Sequence, residues 1–342
     1  MNSIDLRSDT VTKPGKAMLE AMFNARVGDD VFEEDEAVNQ LEQQSAQMFG
    51  MEAGLFCPSG TMTNQIGIKI LTQPGDEVIC DALSHIYNYE GGGISFNSSA
   101  SVKLIHSFNG IFNAENVIDN INPDNVHYPK SSLVSIENTS NRGGGCCWNI
   151  ENVRQIAEVC KQNKLYFHLD GARIFNALAH TGESAKDYGK LFDTISVCLS
   201  KGLGAPAGSV LLANKELIKK ARRIRKVLGG GMRQAGYLAA AGTFALDNNI
   251  ERLKQDHLKA KILEQCIKAL PFVEEVFPVQ TNIVVFKLID AFKTDSFIDK
   301  LGKKGIKVVA FGKQTIRMVT HLDINDSEID RTITELKKLE IN

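Results

Sequence analysis

The segment from Tyr166 to Lys201 places a carboxylate and a lysine at the ends of two apolar strands. The run YFHLDGAR is typical of a strand and carries Asp170 near its carboxyl end. The run DTISVCLS ends at Ser200 and Lys201, directly before the glycine-broken segment GLGAPAG. Because the carboxyl ends of neighbouring parallel strands open into one crevice, we expect Asp170 and Lys201 to face a common site.

This pair of groups is what an enzyme dependent on pyridoxal phosphate requires. The lysine amine binds the aldehyde of the cofactor covalently, and the carboxylate keeps the pyridine nitrogen protonated so that the ring can absorb electrons. Taken alone, the same residues are also explained by an aspartate that caps a turn and a surface lysine in a loop. Other segments must distinguish the two interpretations.

A second group of small residues could bind a phosphate. Pro58-Ser59-Gly60-Thr61 follows an apolar strand and opens a helix whose apolar stripe is Met62, Ile66 and Ile70. Free backbone N–H groups and the helix dipole favour an anion at such an end. The alternative is that Ser59 or Thr61 serves only as an N-cap.

Histidines and arginines supply the remaining candidates. His85 follows the strand EVICD and could stack on a pyridine face, whereas His168 lies within a strand and is expected to be structural. Arg173 follows Asp170 closely, and Arg317 lies between Ile316 and Met318, so its side chain projects to the opposite face from theirs. An arginine in such a strand suits a substrate carboxylate or an internal salt bridge.

Other cofactor motifs are missing from the sequence. The segment LGGGMRQAG (228–236) lets the backbone approach a neighbour closely, but it contains no GxGxxG fingerprint, and none follows a strand elsewhere. Neither zinc-type spacing nor a GxSxG elbow is present. A nicotinamide dehydrogenase is therefore disfavoured.

The elements around these residues predict an α/β fold. Strand candidates are AGLFCP (53–58), EVICD (77–81), VKLIHS (102–107), SLVSIEN (132–138), YFHLD (166–170), TISVCLS (194–200) and SVLLA (209–213). They alternate with helical patterns such as NIENVRQIAEVCKQN, which favours a mostly parallel seven-stranded sheet between helices. We expect a large cofactor-binding domain over residues 21–250.

The regular alternation of strands and helices ends after residue 250, and the pattern that follows predicts a smaller α+β domain over 251–342. Its elements are a helix over 251–270, TNIVVFKL (281–288), a helix near 293–304, GIKVVAF (305–311), TIRMVTH (315–321) and a helix from Asp326. Residues 1–20 are polar and irregular and are expected to form an N-terminal arm that belongs clearly to neither domain.

The amino-acid composition limits the kinds of binding partner and the cellular compartment that we expect for the protein. A chain of 342 residues with a formal net charge of −2 and no basic tract argues against a nucleic-acid or membrane partner, which leaves a small molecule. The seven cysteines lack CxxC spacing, and five of them (Cys57, Cys80, Cys160, Cys198 and Cys266) lie in apolar runs as expected of core residues. A reducing compartment follows, and with neither a secretory core nor a membrane-length apolar run we expect a cytoplasmic protein.

Eight blocks, in order along nearly the whole chain, resemble the threonine aldolases, pyridoxal phosphate enzymes of the aspartate aminotransferase fold (fold type I). They are LRSDTVTKP (6–14), VGDDVFEED (27–35), PSGTMTNQ (58–65), HIYNYEGG (85–92), ENT (137–139), HLDGARIFNA (168–177), SVCLSKGLGAP (196–206) and GGGMRQAG (229–236). One departure is Ser140, where the family usually has histidine.

The resemblance implies a role for each matching residue. Lys201 would bind the cofactor aldehyde and Asp170 its ring nitrogen, with Ala172 and His85 on the two ring faces. The remaining cofactor contacts would come from Ser59, Gly60, Thr61, Arg173 and Ser200, helped by Lys226 and Arg233 of a neighbouring subunit. The substrate carboxylate would be held by Ser8, Arg173 and Arg317, while Tyr89 and His127 would lie near the substrate hydroxyl, and His85 or His127 would serve as the base.

The implied reaction is retro-aldol cleavage of L-threonine or L-allo-threonine, and of related β-hydroxy-α-amino acids, to glycine and acetaldehyde. The alternatives are a β-eliminating lyase or dehydratase of the same fold, or a non-catalytic amino-acid-binding relative. A homodimer or homotetramer with active sites at the subunit interface is expected. The sequence leaves open the preference at Cβ, the identity of the base and the presence of a bound cation.

Overall fold

The computed structural model describes residues 3–341 of the chain. The strands are β1 Ile4–Asp5, β2 Ala53–Cys57, β3 Glu77–Asp81, β4 Ser101–Ile105, β5 Ser131–Glu137, β6 Tyr166–Gly171, β7 Thr194–Cys198, β8 Ser209–Ala213, β9 Val273–Val276, β10 Ile283–Leu288, β11 Ile306–Lys307, β12 Val309–Gly312 and β13 Thr315–Val319. The helices are α1 Lys16–Phe23, α2 Glu36–Phe49, α3 Gly60–Leu71, α4 His85–Asn88, α5 Gly93–Ser98, α6 Ala114–Asn120, α7 Ile150–Gln162, α8 Ile174–Thr181, α9 Ala185–Gly189, α10 Lys215–Val227, α11 Gly236–Asn248, α12 Leu253–Lys268, α13 Thr294–Lys303 and α14 Asp326–Lys337.

The large sheet contains all seven strands predicted between residues 53 and 213. Its order is β2-β8-β7-β6-β5-β3-β4, and only β8 runs against the other strands. Strands such as β3 and β7 are buried along their whole length, because helices cover both faces of the sheet. The predicted α/β fold with a mostly parallel seven-stranded sheet is therefore confirmed.

Local sequence explains why the helices of this part form where they do. In α7 the side chain of Asn149 accepts a hydrogen bond from the backbone of Glu151 and caps the helix. Val153, Ile156 and Cys160 are then buried on one face, as their spacing predicts.

The C-terminal part forms a second sheet with its own core. Strands β12-β13-β10-β9 pair in that order, all antiparallel, and α12, α13 and α14 contribute to the same buried cluster. The α+β prediction for this region is confirmed in class, but two details were wrong. The run 305–311 forms two separate strands, β11 and β12, and strand β9 was not predicted.

The N-terminal arm is more ordered than its polar sequence indicates. Strand β1 pairs in parallel with β11, and Ile4 and Leu6 are buried in the core of the C-terminal part. Residues 16–23 form helix α1, which packs against α11 beside the large sheet. The arm therefore spans both parts of the molecule, and the expectation of an irregular segment was wrong at these two places.

The cysteines and the helices bear on two further expectations. All seven cysteines are free, and four of the five predicted core cysteines are buried, whereas Cys266 is half-exposed at the surface of α12. Among residues 3–341, no helix has the length and apolar character needed to cross a bilayer.

Candidate active site

Asp170 and Lys201 line one inner cavity of about 160 Å³ at the carboxyl edge of the large sheet. Strands β6 and β7 are parallel neighbours, with Asp170 in register with Ser196, so both strands deliver their following residues to the same edge. Gly204 and Gly208, both at positive φ, then turn the chain back into β8. The structure thus brings together the two groups from which the sequence interpretation starts.

Hydrogen-bond donors fix the Asp170 carboxylate in the inner cavity. The Asn64 side chain donates to Oδ2 over 2.9 Å, and the backbone N–H of Ala172 donates to Oδ1 over 3.1 Å. Asn64 is in turn held by His168, whose other ring nitrogen faces Thr194. Burial lowers the pKa of His168 to about 4, so this histidine is a neutral structural residue, as predicted.

The N-terminus of α3 opens onto the inner cavity beside Lys201. Ser59 caps the helix by accepting a hydrogen bond from the backbone N–H of Met62, and the following Gly60 and Thr61 line the cavity together with Ser200. The first N–H groups of a helix have no partner within it. A buried hydroxyl, Ser209 Oγ, lies 3.4 Å from where a Cβ on Gly60 would stand and has no hydrogen-bond partner among residues 3–341. This cradle of donors fits the phosphate of the predicted cofactor.

His85 is held at the cavity by a buried carboxylate that the sequence analysis did not single out. Its Nδ1 lies 3.0 Å from Oε1 of Glu90, whose side chain is fully buried. Burial opposes protonation of His85, but the hydrogen bond to Glu90 and the charges of Asp170 and Glu137 outweigh it and raise the pKa of His85. With Nδ1 turned to Glu90, Nε2 is the ring nitrogen left for other partners.

His85, Glu90 and Asp170 could also be considered as metal ligands, because one ligand atom of each lies within 4.8 Å of the other two. The carboxylates are already engaged by amide donors, however. Asn64 donates to both Glu90 and Asp170, and Gln65 donates to the second oxygen of Glu90 over 2.6 Å. Side-chain N–H groups aimed at the same oxygens favour a hydrogen-bonded network over a cation.

An outer cleft of about 350 Å³ adjoins the inner cavity and shares His85, Ala172 and Lys201 with it. Ser8 of the N-terminal arm and Tyr89 line this cleft, and the Tyr89 ring centroid lies 5.7 Å from that of His85. Its remaining lining residues are Thr10, Glu137, Asn141, Arg142, Arg173, Val309, Ala310, Phe311 and Arg317.

Arg173 reaches this cleft through a buried ion pair with Asp9. The guanidinium donates from Nε and Nη2 to the two carboxylate oxygens over 2.8 and 2.7 Å, and Asn282 adds a third hydrogen bond to Asp9. Burial alone would raise the pKa of Asp9, but Arg173 together with Lys201 and Asn282 outweighs it and lowers that pKa to about 2. The pair is therefore charged and fixes the orientation of Arg173.

Arg317 faces the cleft from β13, while Ile316 and Met318 are buried on the other face of the strand, as the alternation predicts. Nη1 donates to the Asn141 side chain and Nη2 to the backbone carbonyl of Arg7, both over 3.0 Å. Nε is buried without a partner among residues 3–341. Burial, then repulsion from Arg173, lowers the pKa of Arg317 to about 10, so a bound anion would stabilise this cation.

Three predicted residues lie away from both cavities of the single chain. His127 is exposed in the loop between α6 and β5, Lys226 borders a separate cationic groove on α10, and Arg233 forms an ion pair with Asp29 over 2.8 Å. Lys226 and Arg233 were expected to serve a neighbouring subunit. The predicted role of His127 now requires a neighbouring subunit as well.

Ser140, which replaces the histidine usual in the resembling family, does not line either cavity. Its Oγ accepts a hydrogen bond from the backbone N–H of Gly143 and packs against Gly110. The adjacent Asn141 takes the position in the cleft instead.

Comparison with known proteins identifies what the chain is similar to. A family model described as "Beta-eliminating lyase" matches residues 5–291. The low-specificity L-threonine aldolase 1 of Arabidopsis thaliana is 39% identical over 98% of this chain and 95% of its own length. The low specificity L-threonine aldolase of Escherichia coli K12 is 38% identical over 95% of this chain and 96% of its own length. A solved threonine aldolase from Leishmania major superposes with a TM-score of 0.85 at 21% identity, covering 98% of this chain and 99% of that one, and supports the fold.

Proposed function

Because the chain belongs to the β-eliminating lyase family and to the low-specificity L-threonine aldolases, we propose that it cleaves L-threonine and L-allo-threonine to glycine and acetaldehyde. The observation that carries the proposal is the meeting of Asp170 and Lys201 in one inner cavity, next to a cleft that presents Arg317. Related β-hydroxy-α-amino acids are expected substrates too.

The cofactor is pyridoxal 5'-phosphate, and the residues of the inner cavity fit its parts. Lys201 would hold the aldehyde, Asp170 the protonated ring nitrogen, and Gly60, Thr61 and Ser200 the phosphate, with His85 and Ala172 on the ring faces. When bound, the cofactor supplies a ring that takes up the electron pair released at Cα.

Residues of the outer cleft then decide which bond breaks. Arg317 and Arg173 together with Ser8 would hold the substrate carboxylate, and a fixed carboxylate fixes the direction of the Cα–Cβ bond. Holding that bond ready for cleavage favours loss of the aldehyde over loss of the carboxylate or transfer of the amino group.

His85 is the base that the structure of a single chain favours. Glu90 faces Nδ1, so Nε2 of the neutral ring can accept the proton of the β-hydroxyl group, either directly or through water. The hydroxyl O–H and the Cα–Cβ bond break, the C=O of acetaldehyde forms, and Cα gains a proton. Replacing His85 and His127 separately by asparagine tests this assignment, because near-normal turnover in both variants rules out both histidines.

The test of the activity gives the purified holoenzyme each threonine diastereomer. Acetaldehyde and glycine in equal amounts are the expected products. The ratio of the cleavage rates of the two diastereomers gives the preference at Cβ. The family model also covers β-elimination, which would release ammonia and a keto acid from the same substrates. Ammonia without acetaldehyde would therefore replace the proposal with that alternative.

We further propose that the chain works as a homo-oligomer whose subunits complete each other's sites. Val126, next to His127, is 98% exposed, and Val227, next to Lys226, is 81% exposed. Single exposed apolar side chains do not by themselves mark an interface. The main support for the proposal is therefore that His127 and Lys226 line neither cavity of their own chain. An interface here would bring His127 and Lys226 to a neighbouring cavity.

Mixing two inactive variants tests this arrangement. Lys201→Ala removes the lysine of one site, and Lys226→Ala removes a residue that the other subunit lends. Hybrid oligomers formed after mixing should regain activity, since one of their sites is intact. Activity that stays at the level of the separate variants contradicts the shared site, and native mass spectrometry of the wild type distinguishes a dimer from a tetramer.

The free cysteines are compatible with our proposal of a cytoplasmic location.

A further inference from the structure

Arg142 is a cation of the outer cleft to which the cleavage of threonine assigns no role. It lines the cleft beside Asn141, and its guanidinium carbon lies 4.0 Å from the centroid of the Phe311 ring. Among residues 3–341 it forms no ion pair. Stacking on the ring holds the planar group at the wall of the cleft and leaves its N–H edge free to donate.

A substrate with a single carboxylate does not neutralise all the arginines of the outer cleft. Asp9 neutralises Arg173, and the substrate carboxylate of threonine would neutralise Arg317. Glu137 does not pair with Arg142, because its two carboxylate oxygens accept hydrogen bonds from the backbone N–H groups of His85 and Asn141 over 2.8 and 2.9 Å. With threonine bound, the Arg142 guanidinium would therefore have no anionic partner among residues 3–341.

Arg142 and Arg317 contact the same aromatic ring. The guanidinium carbon of Arg317 lies 4.9 Å from the Phe311 centroid, and both arginines line the outer cleft together with this ring. Each arginine raises the positive potential felt by the other, and Arg142 contributes to the lowered pKa of Arg317. A ligand with two carboxylates on adjacent carbons would neutralise both groups.

We propose that Arg142 binds a second carboxylate and that the enzyme therefore also cleaves β-hydroxy-α-amino acids with an acidic side chain, the simplest being 3-hydroxyaspartate. The inference rests on the proposed aldolase function and extends its substrate class. The β-hydroxyl O–H and the Cα–Cβ bond of 3-hydroxyaspartate break, the C=O of glyoxylate forms, and Cα takes up a proton to give glycine. No oxidant or further reactant is needed.

The experiment compares two classes of substrate, acidic and neutral, on one holoenzyme preparation. Glyoxylate release from L-threo- and L-erythro-3-hydroxyaspartate is measured beside acetaldehyde release from threonine, for the wild type and for Arg142→Gln. A charge-assisted, forked hydrogen bond is lost in the variant, so the ratio of kcat/KM for 3-hydroxyaspartate to that for threonine should fall by roughly tenfold to a hundredfold.

A matched control removes the same charge elsewhere. Arg154 lies on α7, pairs with Glu151 over 3.2 Å and lines neither cavity of the site, so Arg154→Gln should keep the wild-type ratio. Absence of glyoxylate while acetaldehyde is formed overturns the inference, as does an unchanged ratio in Arg142→Gln. Absence of both products refutes the proposed function instead.

Discussion

The buried pair of Asp9 and Arg173 gives a stability prediction whose size follows from the structure. The pKa of Asp9 is lowered from 3.8 to about 2 although its carboxylate is fully buried, so its contacts outweigh desolvation. A shift of nearly two pKa units corresponds to about 2.5 kcal/mol of stabilisation at neutral pH. Asp9→Asn also leaves the buried Arg173 charge uncompensated, and we expect it to lower the free energy of unfolding by about 3–5 kcal/mol.

The pH dependence of this effect has a defined sign. Because the folded-state pKa of Asp9 is lowered, the stabilisation is complete above the unfolded-state pKa and is lost as the pH falls through the folded-state value near 2. The difference in stability between wild type and Asp9→Asn should therefore be largest at neutral pH and should narrow below about pH 4.

Urea unfolding followed by circular dichroism at pH 7 measures the change, with the free energy extrapolated linearly. Asp187→Asn is a matched control, because it removes the same charge from an exposed pair with Lys190, and its midpoint should stay near that of the wild type. Asp9→Asn should also raise the KM for threonine, since Arg173 loses its fixed orientation. An Asp9→Asn midpoint equal to that of the control would refute the reasoning.

Two further predictions concern the cleft. Glu90→Gln removes a carboxylate that raises the pKa of His85; Asp170 and Glu137 also raise this pKa. The acid limb of the kcat/KM profile for threonine should therefore move to lower pH in this variant. A limb that stays in place would exclude Glu90 as the residue that sets it. Arg317→Gln should raise the KM for threonine by roughly tenfold to a hundredfold while the absorbance of the bound cofactor is retained, because a charged hydrogen bond to the carboxylate is lost. An unchanged KM in steady-state assays would remove Arg317 from substrate binding.

The large sheet was predictable because its strands are buried on both faces. Runs such as EVICD and TISVCLS contain consecutive apolar residues, which point to both faces of a sheet, and the helices between them keep a regular apolar stripe. The meeting of Asp170 and Lys201 then follows from parallel pairing, since each residue lies at or just beyond the carboxyl end of its strand. The orientation of Arg317 follows equally from the alternation along β13.

The rest of the site depends on contacts between side chains that no local sequence pattern predicts. Asp9 and Arg173 are 164 residues apart, and an aspartate in a polar N-terminal arm gives no sign that it will be buried. Glu90 precedes a glycine run typical of an exposed loop, yet Asn64, Gln65 and His85 enclose it. A buried arginine does require an anion, and that requirement was the one available signal for a partner such as Asp9.

The C-terminal errors have a similar origin. The run GIKVVAF is uniformly strand-forming, so its division into β11 and β12 could not be read from composition. The division follows from the N-terminal arm, because β1 pairs with β11 while β12 pairs with β13. The partner of β11 lies about 300 positions away in sequence, whereas β12 pairs with the next strand along the chain.

The central claim is that one cofactor molecule joins the amine at position 201 beside the carboxylate at position 170. Borohydride reduction of the purified protein, followed by proteolysis and mass spectrometry, measures where the cofactor is attached. We predict a pyridoxyl group on the peptide that contains Lys201, lost together with the visible absorbance in Lys201→Ala. Attachment to another lysine, or a protein that carries no reducible chromophore after incubation with pyridoxal phosphate, would contradict the account.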